Sequence, residues 1–203
     1  MSANPHRRRT LALLGASLLL PATPALPADR APTPRMTEGP FYPRTFPKDI
    51  DGDLTRIAGQ AVAAQGTVLD VTGRIVDRSG KPLAGAKLEL WQCDQLGLYH
   101  HVGDMQAAGD PGFQGFGSVT ADGEGRYAFR TIKPVPYSGR SPHIHFLVRE
   151  GAKPLLVSQM FVEGDPGNAN DFLYRGLGKR AELVTMRLEN AGAGLRGALE
   201  IVV

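Results

Sequence analysis

The stretch Gly117-Ser-Val119-Thr-Ala-Asp122-Gly123-Glu-Gly125-Arg-Tyr127-Ala-Phe129-Arg-Thr-Ile132 decides the fold class. Two short runs in it read as strands, the second alternating apolar with polar residues at the period of a half-buried strand. Asp122-Gly123-Glu-Gly125 between them carries hairpin-type turn chemistry, so the two runs are expected to pair. The same grammar extends outward. Upstream, Leu69-Asp-Val71-Thr-Gly-Arg-Ile75-Val76 reads as a strand, Arg78-Ser79-Gly80-Lys81-Pro82 as a turn, and Ala86-Lys-Leu88-Glu-Leu90-Trp91 as the next strand. Downstream come His143-Ile-His145-Phe146-Leu147-Val148, Leu155-Leu-Val157-Ser-Gln159-Met-Phe161, Leu183-Val-Thr-Met186 and the run from Gly197 to Val203. Short strands with turns at this spacing predict an all-β chain, an antiparallel β-sandwich with little helix beyond a turn or two around Ala169 to Tyr174. The 25 glycines and 16 prolines agree, and 42% hydrophobic residues suffice for a core.

The sandwich domain is expected over residues 67–203. Residues 29–66 before it are irregular, with Pro32, Pro34, Pro40, Pro43, Pro47 and an Asp51-Gly52 turn signal, and predict a segment that wraps over the domain. Residues 1–28 read as an export signal: Arg7, Arg8 and Arg9, then the apolar run Leu11 to Leu20, then small residues and prolines. The run is too short to span a bilayer comfortably. Arg8-Arg9-Thr10-Leu11 fits the twin-arginine pattern, which predicts an exported protein, periplasmic or secreted. Removing this segment takes away three arginines and no acids, leaving 20 basic residues against 20 acidic. A neutral mature chain gives no electrostatic reason to bind nucleic acid or a membrane. The single cysteine, Cys93, rules out an intrachain disulfide and reads as a small buried hydrophobe.

Chemistry concentrates in Tyr137-Ser-Gly-Arg140-Ser-Pro-His143-Ile-His145-Phe. In a strand, residues i and i+2 share a face, so both imidazoles can reach one metal ion. Tyr99 lies beyond the strand that ends at Trp91. Two His and two Tyr form a hard N/O set, better matched to ferric iron than to zinc or copper. On these residues alone the bland readings stay open. The His pair serves equally as ordinary strand residues, Tyr137 as a packing residue and Arg140 as a surface charge.

The surrounding motifs carry a resemblance. Thr37-Glu-Gly-Pro40-Phe-Tyr42-Pro, Leu90-Trp91-Gln-Cys-Asp94, Gly97-Leu-Tyr99 and Asp110-Pro-Gly-Phe113-Gln-Gly115-Phe-Gly117 resemble the intradiol ring-cleavage dioxygenases. So do Phe129-Arg-Thr-Ile-Lys-Pro134, Pro136-Tyr137 and Arg140-Ser-Pro-His143-Ile-His145-Phe, and together they span residues 37–203. The resemblance implies a β-sandwich and a non-haem Fe(III) cofactor held by Tyr99, Tyr137, His143 and His145. It implies a catechol substrate that reacts with O2 between its two hydroxyl-bearing carbons to give a muconate-type diacid. Tyr137 matches the ligand that leaves and takes up a proton. Arg140 would stabilise negative charge on the ring, and Gln159 matches a residue beside that arginine. Tyr42 is a candidate for the substrate pocket, or an anchor for the N-terminal wrap. His100 and His101 follow Tyr99 and are expected on a solvated loop. Ser138 stands where the family frequently has proline, which leaves the substrate's ring substituents open. A homo-oligomer is compatible with all of this and required by none of it.

Two other classes remain as alternatives. A zinc-dependent hydrolase built on the His pair would be colourless and would need an acidic base. A non-catalytic sandwich binding module would be indifferent to the loss of Tyr99 or His145.

Overall fold

The computed structural model describes residues 29–100 and 109–203; the export signal expected over 1–28, and His101, lie outside them. Among the described residues nine strands form two sheets. They are β1 Val68–Val76, β2 Lys87–Trp91, β3 Phe116–Thr120, β4 Arg126–Ile132, β5 His143–Glu150, β6 Lys153–Val162, β7 Thr185–Met186, β8 Leu188–Ala191 and β9 Gly194–Val202. One sheet runs β4-β1-β9-β8 and the other β3-β2-β5-β6-β7.

The sandwich follows from side-chain alternation. Leu88 and Leu90 of β2, and Ile144, Phe146 and Val148 of β5, join Leu69, Val71, Ile75, Phe129 and Ile201 of the facing sheet in the main core. The other face of β5 carries His143, His145 and Leu147, and it too is buried. A strand covered on both faces reads as almost continuously buried. Here the second cover is the N-terminal segment, which adds Phe41 and Tyr42 to an outer cluster of Trp91, Cys93, Tyr99, Phe116 and Leu147.

Three expectations about pairing are corrected. β3 and β4 do not form a hairpin. The turn closes locally, with Asp122 N–H donating to Arg126 O at 3.0 Å, but β3 lies in one sheet and β4 in the other. The wrap enters the space between them: Ser118 N–H donates to Ile50 O and Arg130 N–H to Gly52 O, both at 2.8 Å. Nor is every pair antiparallel, because β1 runs parallel to β9 and β6 parallel to β7. Finally, Leu183 and Val184 belong to a 3-10 turn, Gly178–Val184, so the strand expected over 183–186 shrinks to Thr185–Met186. β8 is an additional strand, paired with β9 through the turn at Gly192. Helix is otherwise a 3-10 turn at Pro166–Ala169 and the five-residue α1, Phe172–Gly176.

The N-terminal segment laces the two sheets. Thr33 N–H donates to Val202 O at 3.0 Å on β9, while Met36 N–H donates to Val157 O at 2.9 Å and Ser158 Oγ to Pro34 O at 2.6 Å on β6. Arg30 pairs with Glu200 at the start of this run.

Candidate functional site

Trp91 of β2, His145 of β5 and Gln159 of β6 are cross-strand neighbours on the outer face of the five-stranded sheet. His143, two residues before His145, shares that face. The turn before β5 brings Tyr137 and Arg140 alongside, and the segment after β2 brings Tyr99. His143 Nε2 and His145 Nε2 lie 3.1 Å apart, with Tyr137 Oη 3.5 Å from His143 Nε2. The Tyr99 ring stands edge-on to Tyr137 at 5.3 Å and to His145 at 6.2 Å. Four heads from three segments therefore converge on one point.

The immediate surroundings fix each head. Ser141 O accepts from His143 Nδ1 at 2.7 Å, and a carbonyl cannot donate, so that nitrogen carries the proton and Nε2 presents a lone pair. The indole of Trp91 stacks on His145 at 5.0 Å and 12°. Phe41 of the wrap stacks on Tyr99 at 4.2 Å and 4°. Gly39, with φ of 74°, passes so close that a Cβ there would sit 3.5 Å from His145 Cε1. Burial sets the charge states. It pushes His143 down to about 4, with the Arg140 guanidinium adding to the effect, and it pushes His145 well below the ordinary imidazole value. It raises the phenols of Tyr99 and Tyr137. The set is thus neutral by itself and gains anionic character only against a bound cation.

That donor set fits a metal ion. The two Nε2 atoms point at each other, the Nδ1 of buried His145 has no hydrogen-bond partner among the described residues, and two phenols stand beside them. Imidazole with phenol oxygen suits a hard, highly charged ion. Among the described residues no group of three or more His, Cys, Asp and Glu is placed to hold a metal, so the donor set there is the His pair with the two phenols.

Arg140 and Gln159 are in contact. Arg140 Nη2 donates to Gln159 Oε1 at 2.6 Å, and Gln159 Nε2 donates to Thr37 O of the wrap at 3.2 Å. Tyr42 is placed differently from the four converging heads. Its hydroxyl donates to Glu89 Oε2 at 2.7 Å, its ring packs edge-on against Trp91 at 5.0 Å, and burial first of all raises its phenol to about 12. Of its two readings, anchor of the wrap is the one these contacts describe. His100 is half-buried and paired: its Nε2 lies 2.8 Å from the buried Asp94 carboxylate, which also accepts from Leu96, Leu98 and Asp110 N–H. Asp94 thereby shapes the turn that delivers Tyr99. Cys93 is buried, its thiol pushed up to about 12 chiefly by burial. Sequence reasoning missed Asp171 and Phe172. Asp171 accepts from Arg140 Nε at 2.7 Å, and Phe172 lies under the guanidinium at 5.6 Å. Asn170-Asp171 ahead of an apolar pair is a helix-start signal, but nothing local ties it to residue 140.

Tyr137 and Arg140 face each other across a two-residue turn, with Arg140 N–H donating to Tyr137 O at 2.8 Å. Both central residues are left-handed, Ser138 at φ 44° and Gly139 at 77°. Proline, locked near −65°, cannot take Ser138's conformation. A left-handed serine costs about 1–2 kcal/mol, and glycine would recover most of it against a larger chain entropy when unfolded. Ser138→Gly is expected to raise the thermal midpoint by roughly 1–4 °C. A lowered midpoint in calorimetry would show that the serine hydroxyl contributes more than its backbone costs.

The sequence model of the dioxygenase family (Dioxygenase_C) matches residues 37–201. The protocatechuate 3,4-dioxygenase beta chain of Burkholderia cepacia is 40% identical over 136 residues, covering 63% of this chain and 58% of its own length. Catechol 1,2-dioxygenase 2 of Acinetobacter lwoffii is 34% identical over 160 residues, 70% of this chain and 55% of its own. The chain spans about half the length of the curated relatives it matches. Among solved structures, the dioxygenase domain of a dioxygenase carbohydrate-binding protein fusion from Streptomyces sp. SirexAA-E superposes with a TM-score of 0.66 at 29% identity, covering 85% of this chain and 98% of that one. The intradiol ring-cleavage dioxygenase of Tetranychus urticae shares the fold, with a TM-score of 0.68 at 22% identity over 85% of this chain and 94% of that one. With this β-sandwich and this site, the chain belongs to the intradiol ring-cleavage dioxygenase family.

Proposed function

We propose that the protein is a mononuclear, non-haem Fe(III) intradiol dioxygenase. It would cleave a catechol-type ring between the two hydroxyl-bearing carbons and place both atoms of O2 in a muconate-type diacid. The observation that carries this reading is the convergence of His143 Nε2, His145 Nε2 and Tyr137 Oη beside Tyr99. These four side chains would hold the ion. Ferric iron held there would supply the positive charge that favours ionised phenols and polarises a bound catechol.

The chain's own groups divide the remaining work. Tyr99 is 3% exposed and clamped under Phe41, so it stays in place. Tyr137 is only half-buried, on a two-residue turn, and is the ligand we assign to leave when substrate binds. Its phenolate oxygen is the natural acceptor for a substrate hydroxyl proton. Arg140 presents fixed positive charge to the ring as negative charge builds there. Phe41, Trp91 and the wrap exclude water, which strengthens that interaction. Substrate and O2 are the partners proposed. The signal read over residues 1–28 supports an exported, periplasmic or secreted, location.

The test is a visible spectrum with an iron assay on the purified protein, before and after catechol is added under nitrogen. About one iron per chain with a broad visible band that shifts on catechol addition is the expected result. A protein still colourless after aerobic loading with ferric iron sinks the proposal.

A further inference from the structure

We propose that Asp171 is the positioning residue for Arg140, holding the guanidinium by its Nε so that one edge stays turned to the substrate. The inference rests on the function proposed above. Asp171 is fully buried at the start of α1, remote in sequence from the turn that carries Arg140. Its two carboxylate oxygens do different things. Oδ1 caps the helix, accepting from Leu173 N–H at 2.9 Å and Tyr174 N–H at 3.0 Å. Oδ2 turns to the site, accepting from Arg140 Nε at 2.7 Å, Ser141 N–H at 3.0 Å and Ser141 Oγ at 3.2 Å.

The second set reaches both halves of the centre. With Nε held by Asp171 and Nη2 by Gln159, the planar guanidinium has one orientation, and Nη1 has no acceptor among the described residues. Ser141, pinned by the same oxygen, offers the carbonyl that fixes the tautomer of His143. Burial works to raise the Asp171 carboxyl, but the Tyr174 N–H, Arg140 and Ser141 N–H outweigh it and hold it below the usual carboxylate range. It is therefore an anion at working pH. A helix cap needs only one acceptor oxygen, and asparagine or serine supplies it as well as aspartate. A charged second oxygen aimed at a guanidinium whose side chain is 12% exposed is not explained by capping.

Asparagine separates the two roles, because its oxygen can cap α1 while its NH2 group faces Arg140 without accepting. The experiment uses the iron-loaded full chain and compares wild type, Asp171→Asn, Arg140→Ala and the double variant. It reads kcat and KM with catechol, the thermal midpoint, and the visible spectrum of 4-nitrocatechol bound under nitrogen. Asp171→Asn is expected to lower kcat about 10- to 100-fold, the range for removing a supporting partner of a metal centre. KM should change little, the bound nitrocatechol spectrum should move in the direction seen for Arg140→Ala, and the loss in kcat should be clearly smaller once Arg140 is gone, the remainder being the loss of the Ser141 contacts. Equal losses with and without Arg140 overturn the proposal and leave Asp171 a holder of Ser141 alone, and a kcat within twofold of wild type overturns it and leaves a helix cap. Asp171→Ser, which also caps but has no charge, repeats the test if the asparagine variant does not fold. Wild type without iron or turnover would instead sink the functional reading. An Arg140→Ala variant of unchanged kcat would remove the role that Asp171 is proposed to support.

Discussion

Replacing His145 with alanine yields a colourless protein that retains no stoichiometric iron and turns over catechol at least about a thousandfold more slowly. The proposed site has only two nitrogen donors, and their Nε2 atoms lie 3.1 Å apart. Removing one leaves His143 and two phenols whose ionisation depends on the metal they are meant to bind. Supporting partners of metal ligands are worth about 10–100-fold, so a ligand itself must be worth more. The substitution also empties space beneath Trp91, which stacks on the imidazole, so some stability is lost as well. Circular dichroism and an iron assay on the same sample separate the two effects. A folded variant that keeps its iron and its visible band would remove His145 from the ligand set.

The metal-free protein should lose stability steeply in mild acid. Burial pushes His143 from 6.5 down to about 4 and depresses His145 further. Both imidazoles are neutral in the fold, and the unfolded chain binds their protons first. The stabilisation is therefore fully present above about pH 6.5 and is lost as pH falls toward 4. For His143 alone the 6.5-to-4 difference corresponds to about 3 kcal/mol, and His145 adds to it. Urea midpoints of the iron-free protein at pH 7 and pH 4.5 measure this. Double replacement of both histidines by apolar residues should flatten the curve over that window. An unchanged slope would place the acid sensitivity in other groups.

Alternation made most of the strands legible. Leu88 and Leu90 against Glu89 and Trp91 predicted two faces, and both are used. His143 and His145 were legible as a same-face pair for the same reason, and the flanking motifs connected them to Tyr99 and Tyr137. Pairing partners were not legible. Asp122-Gly123-Glu-Gly125 encodes a reversal of the chain, but not whether the next strand joins the same sheet. That depends on Ile50 to Leu54, which enter between β3 and β4. The parallel pairing of β1 with β9 joins residues at opposite ends of the domain, and no local pattern announces it. Asp171 stayed hidden because its partner is 31 positions away and its own sequence context is an ordinary helix start. His100 was read from its neighbours in sequence, whereas Asp94, folded back beneath it, decides its surroundings.

The lacing of residues 30–36 onto β9 and β6 has a consequence for the order in which the molecule is assembled. β1 is made early but acquires its parallel neighbour only when β9 has been synthesised, and Thr33 can bond Val202 only after that. Contacts of such long sequence separation form slowly, because loop closure must come first. The same early segment, at Thr37 to Phe41, lies over His145 and Tyr99. The roof itself is tied to β6, through Met36 N–H to Val157 O and Gln159 Nε2 to Thr37 O, so the imidazoles and phenols are covered only after β6 has been made and the early segment has folded back onto it. The segment made first is thus the last part of the site to be put in place.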